Sequence, residues 1–176
     1  MSEKAPRSPS PAAPARPGDP LQLDLFVPYR LSVLSNLISH TVATIYGERF
    51  GLAIPEWRVM AVLGLAQHQG TPMCANAVAQ RTEMDKVQVS RAVSRLLAMG
   101  LLGRTVDKAD RRKANLTLTA AGTTVYQQIV PLALQYEGEL LDTLETDELM
   151  MLERLLDKLT KTARGLSASF RPAEAP

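Results

Sequence analysis

Asp85-Lys86-Val87-Gln88-Val89-Ser90-Arg91-Ala92-Val93-Ser94-Arg95-Leu96-Leu97, closed by Ala98-Met99-Gly100, is the stretch from which the rest of the chain is read. Val89, Val93, Leu96 and Leu97 recur at helical spacing and mark a core-facing stripe. Lys86, Gln88, Ser90, Arg91 and Arg95 are left for the opposite face. Asp85 with Gln88 three positions on resembles a capping box, which predicts a helix beginning at Asp85 and ending at Gly100. Ahead of it, residues 73–81 follow Thr71-Pro72 and read as a shorter helix. Two helices joined by a short turn, the second with a polar exposed face, form the pattern of a helix-turn-helix. After Gly100 the period changes to two: Leu102, Arg104 and Val106 alternate with Gly103, Thr105 and Asp107. Beyond a polar tip from Lys108 to Arg111, Ala114, Leu116 and Leu118 alternate again. Two such runs around a charged turn predict a β-hairpin, here placed as a wing.

Moving outward, residues 24–46 read as a long helix, with Phe26, Tyr29, Val33, Leu37, Thr41 and Ile45 on one stripe and Pro28 in the first turn. Gly47 and Gly51 bracket its exit. Pro55-Glu56 opens a second helix reaching about Gln67, and Gly70 ends it. Its apolar residues, Trp57, Met60, Ala61, Leu63 and Leu65 among them, imply burial on more than one side. On the C-terminal side, Thr119 is placed to cap a helix over 120–144, in which Pro131 predicts a kink or local break. Thr146 caps a last helix to about Gly165, with Asp147 and Glu148 favourably placed in its first turn. Leu149, Leu152, Leu155, Leu156 and Leu159 give that helix a strong apolar face. The terminal helices carry more apolar surface than a small winged unit can cover, which predicts pairing with a second copy of the chain.

The fold class is therefore mainly α: a winged helix-turn-helix with a β-hairpin wing, flanked by N- and C-terminal dimerisation helices. The expected organisation is a disordered Pro-rich tail over 1–22, a dimerisation helix over 23–50 and the winged unit over 54–119. Further dimerisation helices over 120–166 and a flexible tail over 167–176 complete it. Six of the twelve prolines fall in the first 20 residues, too polar and too broken a segment to bury an ordered core.

Composition excludes several classes. No apolar run approaches the roughly 20 residues of a membrane span, and the N-terminus has no apolar signal core. A single cysteine, Cys74, rules out an internal disulfide framework and a Cys-rich zinc site, and it reads as structural. With two histidines and no carboxylates at matching spacing, no metal or other cofactor is expected. The expected location is cytoplasmic and nucleoid-associated. No P-loop, GxSxG, HExxH or paired-carboxylate signature appears, so no enzymatic activity is expected. The net charge of +2 conceals an uneven distribution. Residues 81–113 hold nine basic side chains against four acids, whereas 134–160 hold eight acids against Arg154 and Lys158. A basic module of this kind suits a polyanion.

The side-chain types fit double-stranded DNA. Arginine reads guanine bidentately, glutamine reads adenine, and serine and lysine hold phosphate. The wing carries Asp107-Lys108-Ala109-Asp110-Arg111-Arg112-Lys113. Acids there repel phosphate, so Asp110 is read either as a clamp that orients Arg95 or as a turn former. Arg112, with Arg111 beside it, is placed to enter a minor groove.

The run from Ala77-Val78-Ala79 through Val89 to Leu102, then Asp110-Arg111-Arg112 and Leu116-Thr117-Leu118-Thr119-Ala120-Ala121-Gly122, resembles the MarR family of bacterial transcription regulators over about residues 25–165. That resemblance implies a homodimer of winged helix-turn-helix subunits joined through their terminal helices. It implies repression of an operon and release of DNA when a small, commonly phenolic or aromatic-acid effector binds. It also assigns Ser90, Arg91 and Arg95 to the recognition helix, Arg112 to the wing tip and Asp110 to its partner acid. Gln88 matches no fixed family letter and is the candidate specificity reader.

Pro28 to Ser39 is more narrowly similar to members controlling aromatic-acid degradation, nicotinate especially, which makes a hydroxylated nicotinate a candidate effector. The family's pocket lies between the dimerisation helices and the winged unit. Asn36 and His40, four residues apart, share a helix face there, with Trp57 and Met60 as apolar wall and Arg49 or Arg58 to neutralise a carboxylate. The competing readings are an interface histidine and a core tryptophan. The rival function is a non-specific DNA-binding or protein-interaction module without an effector, distinguished by strong salt dependence without sequence preference.

Overall fold

Proline has no N–H to donate, so Pro28 belongs in the first turn of a helix. Helix α1 accordingly spans Val27–Phe50 in the computed structural model, which describes residues 20–106 and 114–169. A 3-10 turn at Leu23–Leu25 precedes it, where the sequence had predicted helix from residue 24. Its other end lies beyond the predicted one. Gly47 stays within the helix, and Gly51 ends it in a left-handed conformation (φ 65°), its N–H bonded to the Gly47 carbonyl.

Helix α2 spans Ile54–His68 with Pro55 in its first turn. Glu56 reaches back so that Oε2 accepts from the Ala53 N–H at 2.8 Å, which satisfies an otherwise buried carboxylate. Helices α3 (Ala75–Thr82) and α4 (Lys86–Ala98) form the helix-turn-helix. Glu83 turns the chain between them in the left-handed region (φ 53°). The Thr82 hydroxyl supports that turn by donating to the Val78 carbonyl at 2.8 Å.

The wing is the predicted hairpin, with strands Leu102–Val106 and Ala114–Leu118. Leu102 faces Leu118 and Arg104 faces Leu116. One strand was not expected. Met73–Cys74, predicted as the opening of a helix, pairs antiparallel with Ala114–Leu118 through Met73–Leu116 and Cys74–Asn115. In chain order the strands are β1 (Met73–Cys74), β2 (Leu102–Val106) and β3 (Ala114–Leu118), and β3 lies in the middle of the sheet. Two residues are too few to show a period. β1 exists because the outer edge of β3 presents unpaired backbone groups beside the entry to α3.

Helix α5 runs over Ala120–Leu141 and α6 over Thr146–Ser169. Thr119 caps α5 as expected: its Oγ1 accepts from the Gly122 N–H at 3.0 Å and donates to the Gly100 carbonyl at 2.8 Å. The helix continues through Pro131 without a break. The bond that Pro131 cannot make belongs to the carbonyl of Gln127, and both residues are exposed, so water can take its place. The chain divides after Ile129 into two units, so the first turns of α5 belong with the winged unit and α1. That first unit has one aliphatic core in which Val59, Met60, Val78, Leu96 and Ile129 are sealed from solvent.

Aromatic side chains occupy one side of this core. Trp57 lies between Tyr46, 5.7 Å away, and Tyr126, 6.0 Å away, measured between ring centroids. Burial pushes the Tyr46 phenol up to about 12; Arg58 opposes this and Glu56 adds to it. The fold thus favours the neutral phenol. The associated stability is intact below the ordinary value of 10.0 and is lost as pH rises through about 12. In an alkaline absorbance titration, one of the four tyrosines should stay protonated until about pH 12, with unfolding accompanying its ionisation. All four ionising together near 10 would contradict this packing.

Candidate nucleic-acid interface

A helix N-terminus exposes backbone N–H groups, and at α4 an aspartate satisfies two of them. Asp85 Oδ1 accepts from Val87 N–H and from Gln88 N–H, each at 2.8 Å. The first turn of α4 is thereby fixed from one end. Val89, Ala92, Val93 and Leu96, all at most 2% exposed, anchor the opposite side of the helix in the core. The sequence assigned Lys86, Gln88, Ser90, Arg91 and Arg95 to the outer face, and all five are exposed there. Their backbone is rigid while their polar ends face solvent, the arrangement needed to enter a groove without reordering the helix.

Arg95 has an additional partner. Its Nη2 donates to the Gly51 carbonyl at 2.9 Å, joining the last turn of α4 to the C-cap of α1. A guanidinium at a helix C-terminus bonds a carbonyl that the helix itself leaves unused, and the negative end of the dipole favours it. The sequence had given Asp110 the task of orienting Arg95. Asp110, Arg111 and Arg112 lie outside the described residues, and the orienting contact seen on Arg95 is the backbone of Gly51.

A cavity of about 170 Å³ opens between α3, α4 and β2. Ala75, Ala79, Val89 and Val93 form its apolar lining, and Asn76, Lys86, Ser90 and Arg104 its polar lining. Arg104 and Asn76 were not among the residues singled out from the sequence. The available signal was Arg104 standing on the apolar phase of β2, between Leu102 and Val106. Its Cα partner is the buried Leu116, so the arginine emerges where the hairpin leaves the core.

None of the six residues proposed from the sequence for an effector pocket lines the cavity between α3, α4 and β2. Arg58 Nη2 lies 3.4 Å from Ser39 Oγ, which brings it to the stretch of α1 that carries Asn36 and His40, both exposed. Trp57 is half-buried in the aromatic cluster. Met60 is fully enclosed and offers no wall to a ligand without opening the core. Arg49 stacks over Phe50, 5.3 Å from the ring centroid. Periodicity placed Trp57 and Met60 on helix α2 correctly but gave no measure of how completely neighbouring helices cover them.

Among the described residues, no group of three or more histidines, cysteines, aspartates or glutamates is arranged to hold a metal ion. No described helix is long and apolar enough to cross a membrane. Cys74, half-buried at the end of strand β1, immediately precedes α3 and makes no side-chain hydrogen bond to its first turn.

Residues 50–113 match a MarR family model. The chain is 32% identical over 92 residues to the HTH-type transcriptional regulator BilQ of Clostridium symbiosum, covering 52% of this chain and 64% of that relative's length. Its fold is similar to a MarR/EmrR family transcriptional regulator from Acinetobacter sp. ADP1, with a TM-score of 0.74 and 25% identity over 82% of this chain and 99% of the other. It is also similar in fold to the Staphylococcus aureus protein in a MepR–DNA complex, with a TM-score of 0.71 and 19% identity over 80% of this chain and 98% of that one.

Proposed function

We propose that this chain is a MarR family transcription regulator that binds double-stranded DNA through α4 and the wing. The observation that carries this reading is the outer face of α4. Lys86, Gln88, Ser90 and Arg91 are exposed on a helix fixed by the Asp85 cap and by its buried side. In the complex, Gln88 and Arg91 read base edges, while Lys86 and Ser90 hold phosphates. Arg111 and Arg112, with Asp110 near them in sequence, approach an adjacent minor groove from the wing. The family is one of transcription regulators, not enzymes.

The chain acts as a homodimer and a repressor. Tyr29, Val33 and Leu37 on α1 and Phe26 just before it are all exposed, as are Met150, Met151, Leu155, Leu156 and Leu159 on α6. Apolar helix faces of this extent call for cover, and a second copy supplies it symmetrically. Two α4 helices related by a twofold axis then meet successive major grooves, so the operator is a pseudo-palindrome with half-sites about 10 base pairs apart.

A small aromatic acid releases the DNA. Two places suit it: the Arg58, Asn36 and His40 neighbourhood beside Trp57, and the cavity where Lys86 and Arg104 flank an apolar floor. A hydroxylated nicotinate is the specific candidate, supported by the α1 sequence alone. Fluorescence anisotropy with DNA from upstream of the chain's own gene, in excess unrelated competitor, tests the whole reading. Tight, competitor-resistant binding lost on adding one hydroxylated aromatic acid is expected. Binding abolished by competitor and steeply weakened by salt would favour a non-specific module instead.

A further inference from the structure

Of the exposed side chains on α4, two are not polar: the small Ala98 at its C-terminal end and the larger Val87. Val87 is 59% exposed on the first turn, among Lys86, Gln88, Ser90 and Arg91. At about 100° per residue, Val87 lies roughly 170° from the centre of the buried stripe formed by Val89, Ala92, Val93 and Leu96. It therefore stands at the outermost ridge of the helix, on one face with Ser90, Arg91 and Ser94. Its backbone N–H is held by the Asp85 carboxylate, and its β-branched side chain has little rotamer freedom in a helix. A solvated helix face gains nothing from an apolar branched residue at its apex. The major groove offers that residue one apolar partner, the 5-methyl group of thymine.

We infer that Val87 is a specificity-determining residue that packs against a thymine methyl in the operator. The inference rests on the DNA-binding reading above and adds to it a base that no hydrogen-bonding side chain of α4 selects. Gln88 and Arg91 distinguish adenine and guanine through donors and acceptors, whereas Val87 distinguishes thymine from cytosine and uracil by shape and desolvation.

The test uses the full chain and a duplex selected from a randomised library by its binding. Each thymine of one half-site is replaced in turn by uracil, which removes the methyl and keeps the base-pairing edge. Anisotropy titrations are then run with the wild-type chain and with Val87→Ala. For the wild type, one replacement is expected to weaken binding about four-fold, the effect of withdrawing one methyl-sized contact from a dry interface. Val87→Ala, which withdraws the contact from both half-sites of the dimer, should bind the thymine duplex about sixteen-fold more weakly and be indifferent to that same replacement. Alanine at an exposed helix position preserves the helix, and circular dichroism with a thermal melt confirms it. Selective binding by the wild type that is indifferent to every uracil, or an equal uracil effect in both proteins, overturns the Val87 contact and leaves the DNA-binding reading standing. Failure of the wild type to select any duplex overturns both.

Discussion

Gly122→Ala is expected to destabilise the protein by about 3 kcal/mol, although alanine is the better helix former by about 1 kcal/mol. A Cβ at position 122 would collide with the Leu101 carbonyl, a backbone atom with no rotamer to change. That carbonyl also accepts from the Thr119 N–H at 3.0 Å. Thr119 in turn accepts from Gly122 and donates to Gly100. Relief of the clash must therefore separate the start of α5 from the end of α4, breaking a bond worth about 1 kcal/mol in addition to the overpacking. A midpoint lowered by roughly 10 °C in a thermal melt is the expected reading. Gly138→Ala in the same helix, where a Cβ meets nothing within 4 Å, serves as the control and should leave stability equal or higher. A Gly122→Ala protein as stable as the parent would mean that the α4–α5 junction is not packed as described.

Arg91→Ala should have the largest effect on DNA binding of any single substitution on α4, about 1–3 kcal/mol. Arg91 is exposed on the ridge it shares with Val87, in the position from which a guanidinium reaches base edges. The expected result is weaker operator binding together with relaxed preference at one base pair, and an unchanged thermal midpoint. An equal loss on all sequences, with a salt slope reduced by about one, would make Arg91 a phosphate contact. Arg95→Ala should behave differently. Loss of its bond to Gly51 acts on the α1–α4 junction, so stability should fall along with affinity.

The fate of these two arginines shows how far a sequence can be read. Both lie off the apolar stripe of α4, and residue spacing alone made them equivalent. Arg95 comes within reach of Gly51 only because α1 ends in a left-handed turn beside the last turn of α4, a contact across 44 positions of chain. Arg104 carries no site signal in the sequence for a related reason. An arginine in the apolar phase of a strand reads as an interruption until the hairpin is seen leaving the core beside α3 and α4. Met60 is the opposite case. Its type and spacing suited a pocket wall, yet it is sealed because helices distant in sequence close over α2.

The α-helices and the wing hairpin were legible from local spacing, because these elements depend on neighbours within a few residues. Asp85 caps a helix by accepting from its second and third N–H groups, Thr119 caps α5 by accepting from its third, and alternation at 102–106 and 114–118 sets the hairpin. The sequence also determined the outer face of α4, since 3.6-residue periodicity separates Val89 and Val93 from Gln88 and Arg91. Tertiary structure alone decided the pairing of Met73–Cys74 with β3, the Arg95–Gly51 bond, the Gly122–Leu101 contact and the enclosure of Met60 and Tyr46. Each of these joins groups far apart along the chain, so its geometry is set by how the helices and hairpin pack rather than by local spacing.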